Sequence, residues 1–235
     1  VTKPPAVKLP VVYEDEFLIA VHKPAGLVVH ASEDALVRDT AIRRVRSQTG
    51  RKVFPCHRLD RPTSGLLLFA FSGQLARPVF EAFERREIRK SYWALCRGYL
   101  GEGQQELDRA IDGRSAFTRF RSLREYLVPV GVGRYPSSRY SLVEARPVSG
   151  RRHQIRRHLK HLAHPVVGDS QHGDLEHNRF FRRFFGFGRL FLASRSLSLK
   201  HPVTGEDLEL EAPLAWRLQA CLEQLEEFRL STGNP

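Results

Sequence analysis

Three cysteines stand in 235 residues, Cys56, Cys96 and Cys221, far apart and with no CxxC pair. That scarcity argues against a disulfide framework and against a cysteine zinc site. No apolar run is long enough to span a bilayer, and the opening VTKPPAVKLPVVYEDE has no apolar signal core. A cytoplasmic protein with no membrane partner is expected. The glycine patterns GYLGEG and GVGRYP lack the strand–turn–helix setting and the Gly-Lys-Ser/Thr ending of a nucleotide loop. There is no HExxH. His158, His161 and His164 recur every three residues, which on a helix drifts by about 60° per step, so one metal could hardly hold all three. A basic helix touching phosphates is the better account. Acidic residues are the other shortage: 26 Asp and Glu face 38 Lys and Arg, giving a net charge of +12. A polyanionic partner fits that excess, because neutralised phosphates release their counterions.

What remains is ordinary globular composition, 41% hydrophobic and 27% charged, in a chain long enough for a real core. Residues 1–10, with three prolines, suggest an extended arm, and 11–235 suggest a single catalytic domain without an internal repeat. VVYEDEFLIAVHKPAGLVVH predicts two or three short strands. DTAIRRVRSQTG predicts a short helix capped by Asp39 or Thr40 and stopped by Gly50. GLLLFAFS is apolar without alternation, the mark of a strand covered on both faces. A helix is expected through RPVFEAFERREI, with Pro78 in its first turn, and a strand over KSYWALCRGYL. Residues 101–138 suggest a long insertion with one or two strands, followed by a strand and turn over 139–150. In 151–165, Ile155, Leu159 and Leu162 have helical spacing. A hairpin around Pro202–Gly205 and a final helix burying Leu214, Leu218, Cys221, Leu222 and Leu225 complete the chain. Strands outnumber helices and are interrupted irregularly. The fold class is α+β, with a mixed, largely antiparallel sheet flanked by helices.

One short stretch carries the chemistry. CHRLDRPTSG places Asp60 between Arg58 and Arg61, just before the buried strand. A turn aspartate solvated by neighbouring arginines would explain it. So would a carboxylate kept charged by nearby cations and fixed on a rigid element, able to serve as nucleophile, base or charge stabiliser.

At this point the residues add up to a family. HRLDRPTSG resembles the central motif of the RluA-type pseudouridine synthases, HRLDxxTSG, at every fixed position. HKPAGLVVH is similar to their first motif, NKPxGxxVH, with His22 where Asn is usual. KSYWALCRG is similar to their K-x-Y motif and supplies Tyr92. SGRRHQIRRHLKHLAHPVVGDSQHG resembles RxHQIRxHLxxxxHPIxGDxxYG, with His172 in the place of the usual Tyr. Residues 133–179 are most similar to the branch that modifies uridine 65 of tRNA. One departure is LAS at 192–194, where relatives usually read LHA.

The resemblance implies a pseudouridine synthase fold with its active-site cleft across the sheet. It also implies isomerisation of a uridine in RNA, with no metal and no cofactor. It assigns the nucleophile to Asp60, its pairing partner to Arg156 and the residue stacking on the flipped uracil to Tyr92, with Ile155 in the apolar floor. Arg58 corresponds to the arginine that fills the space left by the everted base. Arg61, Arg151, Arg152 and Lys160, with Lys23 and His30, are further RNA-binding candidates. The expected partner is RNA, in particular tRNA, with a monomeric chain, no obligate protein partner and no S4-like domain. Alternatives are a synthase acting on 23S rRNA and a non-catalytic RNA-binding module on the same fold.

Overall fold

The computed structural model describes residues 7–30 and 39–230. Along the chain run β1 (Val11–Glu14), β2 (Leu18–Lys23), α1 (Ala41–Thr49), β3 (Phe54–Pro55), β4 (Ser64–Ala70) and α2 (Gly73–Glu84). Then come β5 (Arg89–Arg97), β6 (Gln104–Asp108), β7 (Phe117–Val128), β8 (Ser138–Pro147), α3 (Gln154–His161) and α4 (Leu175–Phe184). Last are β9 (Leu192–Lys200), β10 (Asp207–Glu211) and α5 (Trp216–Leu225). The α+β class expected from sequence is the class observed. The chain forms two compact units, one from residues 1–90 and 194–213, the other from 91–193 and 214–235.

In the first unit the strand order is β1-β2-β4-β9, with β3 on β4 and β10 on β9. β2 and β4 pair antiparallel from Leu18–Ala70 to Lys23–Gly65. All seven residues of β4 are buried, as its unbroken apolar run requires. Leu66, Leu68 and Ala70 pack with Ala76 and Val79 of α2 and with Leu197, Leu199 and Leu210 of the β9–β10 hairpin. Thr40 caps α1 by accepting from the Arg43 N–H, and Gly50 ends it at φ 68. Helix α2 starts earlier than sequence suggests, because the Ser72 hydroxyl accepts from the Leu75 N–H. Pro78 is therefore inside the helix. It sits on the exposed side, where the carbonyl it leaves unbonded can turn to water. Of the arm expected over 1–10, residues 1–6 lie outside the described residues. Leu9 is buried, its N–H and carbonyl both bonded to the Gln48 amide.

The second unit orders its strands β5-β8-β7-β6, all antiparallel. Alternation along β5 divides its side chains between two layers. Ala94 and Cys96 pack with Ile155 and Leu159 of α3, and Tyr92 rests against the same cluster. Leu95 packs on the opposite layer with Phe181 and Phe185 of α4 and Leu218 and Leu222 of α5. The one or two strands expected within residues 101–138 are two, β6 and β7, and β7, twelve residues long, pairs with β8 from Thr118–Pro147 to Val128–Ser138. Helix α3 is shorter than the 151–165 periodicity suggests. His153 before it and Ala163 after it both adopt left-handed conformations, at φ 55 and φ 62. Leu214 precedes α5 and is only partly buried.

Candidate active site

Two constellations carry the residues singled out in the sequence, one in each unit. In the first, the loop between β3 and β4 holds Asp60, and the turn after β2 locks it. The Gly26 N–H donates to the Arg61 carbonyl at 2.7 Å, and Arg61 Nε donates back to the Gly26 carbonyl at 3.1 Å. Lys23 lies beneath them. Sequence alone gives Lys23 to RNA, but it is fully buried, and its Nζ donates to the carbonyls of Pro24, Leu27 and Arg61 at 3.0, 2.8 and 3.3 Å. Its task is to knit two loops together, not to reach a phosphate. The Thr63 N–H donates to the Asp60 carbonyl at 3.0 Å, closing the turn.

Both ends of this loop are fixed by fit. At its start the Leu68 N–H donates to His57 Nε2 at 3.1 Å, and the imidazole lies 5.0 Å from the Phe83 ring. Burial pushes the His57 pKa down to about 3, with repulsion from Lys90 adding to it, so the ring is a neutral acceptor. At its end Gly65 takes φ +109, and a Cβ there would stand 2.1 Å from the Ser194 carbonyl oxygen. Leu59 points into the core, while Arg58 and Arg61 are exposed and Asp60 is half-buried. His30, also exposed, borders residues 31–38, which lie outside the described residues.

In the second unit Arg156 is buried on α3 and donates Nε and Nη2 to the two oxygens of Asp169, both at 2.7 Å. Burial alone would raise the Asp169 pKa. The Arg156 fork and the N–H groups of His172 and Gln171 outweigh it and hold the carboxyl below its usual range. The turn carrying Asp169 is itself pinned by Asn178 of α4, whose Nδ2 donates to the Asp169 carbonyl and whose Oδ1 accepts from the Gly168 N–H. Only glycine fits at 168, since a Cβ would meet the Arg189 carbonyl oxygen at 1.7 Å. His172 Nε2 lies 3.0 Å from His153 Nδ1, and burial lowers the His172 pKa. Gln154 anchors the start of α3: its Oε1 accepts from Ser149 and from the Arg151 N–H, and its Nε2 donates to the Phe117 carbonyl and Thr118 Oγ1. Arg151 also donates to the Ser115 carbonyl, whereas Arg152 and Lys160 are exposed.

The sequence model of the RNA pseudouridylate synthase family matches residues 17–161, which include three of these four motifs whole and the start of the fourth. The chain belongs to that family. It is 43% identical to a protein named tRNA pseudouridine synthase C from Vibrio cholerae over 232 residues, 92% of this chain and 95% of that one. A protein of the same name from Pectobacterium carotovorum is 44% identical over 87% of this chain, which spans 58% of that longer relative. Among solved structures, Human RNA Pseudouridylate Synthase Domain Containing 1 superposes with a TM-score of 0.73 at 25% identity, covering 97% of this chain and 96% of that one. The pseudouridine synthase fold and the isomerase class implied by the four motifs are thereby established.

In this pseudouridine synthase the structure gathers Asp60, Arg58, Arg61 and Lys23 on one clamp and Tyr92, Ile155 and Arg156 on one sheet layer and its helix. Three supporting residues went unassigned from sequence: His57, Gln154 and Asp169. All three stand inside the quoted motifs. A lone carboxylate following a basic helix, as in GDS, was the available signal for Asp169. The three cysteines are free and buried, their thiols pushed up to about 12 by burial, and serve as core packing.

Proposed function

We propose that this chain converts a uridine of tRNA to pseudouridine, with uridine 65 as the target. The names of its relatives and the similarity of residues 133–179 to that branch support the substrate. In the reaction the N1–C1′ bond breaks, the uracil turns, and C5 joins C1′; C5 loses its proton and N1 gains one, so nothing external is consumed. Asp60 supplies the carboxylate that attacks, and Arg156 contributes positive charge to the reaction. Tyr92 stacks on the turning uracil and its hydroxyl serves in proton transfer, with Ile155 as apolar floor.

The target base must leave its stack before any of this. Arg58 is exposed on the Asp60 loop, and its guanidinium can take the vacated place and stack on neighbouring bases. Arg61, Arg151, Arg152, Lys160 and His30 offer positive or polar contacts to the backbone. The observation that carries this reading is the double lock on the loop of Asp60: a catalytic carboxylate works only where its position is fixed, and here backbone, lysine and glycine all fix it.

The test is incubation of the chain with unmodified tRNA and 23S rRNA transcripts, followed by site-resolved pseudouridine detection. Product at position 65 of tRNA is the expected result. Product in rRNA alone would transfer the assignment to that substrate. Asp60→Asn should bind tRNA as the parent does while turnover falls by at least about a thousandfold; normal turnover by that variant refutes the mechanism.

A further inference from the structure

The turn joining β6 to β7 builds a feature that the reading above does not use. Ile111 and Arg114 exchange both backbone hydrogen bonds, and Asp112 and Gly113 between them take φ 51 and φ 73, so the turn is tight and of the primed kind. The β6–β7 connection is tied to α3 and the residues just before it at three points. Arg157 Nη1 donates to both oxygens of Asp112 at 3.0 and 2.9 Å, Arg151 donates to the Ser115 carbonyl, and His158 Nε2 lies 3.0 Å from the Arg109 carbonyl. Between turn and helix lies a recess of about 400 Å³. Arg109, Lys160, His161, Arg157 and His172 line it, over a floor that includes Ile111.

The charge balance of this recess is one-sided. Asp112 is taken up by Arg157, whereas Arg109 and Lys160 have no acidic partner among the described residues. Arg109 Nη1 instead lies 3.2 Å from His161 Nε2, where the guanidinium can only donate and the ring nitrogen accepts. Two uncompensated cations and two imidazoles around a pre-shaped hollow match a phosphate group in charge and hydrogen-bond donors.

We propose that this recess binds a phosphodiester of the RNA substrate, giving the enzyme a backbone contact on the exposed flank of the helix that carries Arg156. The inference rests on the RNA-modifying reading and adds Arg109 and His161 to the residues that hold the substrate. It also gives the β6–β7 turn a task.

Binding of an unmodified tRNA transcript, measured by fluorescence anisotropy across a series of KCl concentrations, tests it. Arg109→Gln and Lys160→Gln should each weaken binding several-fold at low salt and reduce the slope of log K against log salt by about 0.7–0.9. Arg109→Lys and Lys160→Arg should keep the parental slope, which a merely structural role would not predict. A double Arg109→Gln, Lys160→Gln variant with parental affinity and slope overturns the proposal. If inorganic phosphate binds the recess while the double variant still holds tRNA normally, the hollow is a small-anion site and the RNA contact falls. Pseudouridine mapping on the same transcript separates the two readings: no product from the parent chain counts against the function, whereas product with an unaltered salt slope counts against the recess alone.

Discussion

The loop that carries Asp60 and the helix that carries Arg156 are immobilised by different forces. Around Asp60 the work is done by backbone amides, a buried lysine among carbonyls and a glycine pressed against Ser194. Around Arg156 it is done by a buried charge pair, with Asp169 held by amide donors and the whole turn by Asn178. The first arrangement tolerates changes of charge poorly only at Lys23 but tolerates added volume hardly at all. The second depends on electrostatic matching, because a buried ion that loses its partner keeps the full cost of leaving water.

Asp169→Ala should therefore be the most damaging of the supporting substitutions. It removes the buried acceptor of both Arg156 fork hydrogen bonds, and a loss of about 4 kcal/mol in urea unfolding is expected. Asp169→Asn should cost less, since the amide oxygen can still accept from the guanidinium and the turn. Equal stability of Asp169→Ala and the parent would mean that charge matching is not what holds this half. Gly65→Ala examines the other half by volume. With φ +109 and backbone in the way, about 3 kcal/mol should be lost, read as a clear fall in melting temperature. A melting temperature within a degree of the parent's would show that the Asp60 loop is looser than its contacts imply.

The smallest effect concerns pH. Folded His57 titrates at about 3, against an ordinary value of 6.5. Between those values the unfolded chain binds a proton that the folded chain refuses, so stability falls as pH drops through that window, by roughly 1 kcal/mol per unit. His57→Gln keeps an acceptor for the Leu68 N–H and removes the titration. Its stability between pH 6.5 and 5 should decline less steeply than the parent's. The slope that remains belongs to the second unit, where burial also lowers the pKa of His158, His172 and His177. Identical slopes in variant and parent would remove His57 from the account of acid sensitivity.

Local signals in the sequence were enough wherever neighbours along the chain decide structure. The uninterrupted apolar run of β4, the capped helix α1 and the β9–β10 hairpin were all legible for that reason. Helix α4 was not anticipated: HNRFFRRFF reads as basic and aromatic on all sides, and its purpose shows only when Phe181 meets the sheet and Asn178 meets Gly168. In the 101–138 segment the presence of strands was legible, but the length of β7 was not, because its register is set by β8. Of the candidate site, Asp60, Tyr92 and Arg156 rest on motif spacing. Lys23 was misjudged because a buried lysine among carbonyls is a three-dimensional arrangement with no linear signature. His57 and Asp169 escaped notice for a related reason, since each acts through a partner eleven to thirteen residues away.

The chain leaves its first unit at residue 90 and re-enters at 194, so the neighbour of β4 is supplied by residues made more than a hundred positions later. During synthesis β4 waits with an open edge on a largely apolar strand, the kind of edge that recruits foreign strands. A fragment ending near residue 90 would keep that edge open permanently and should aggregate, so the first unit depends on residues 194–213 to close its sheet.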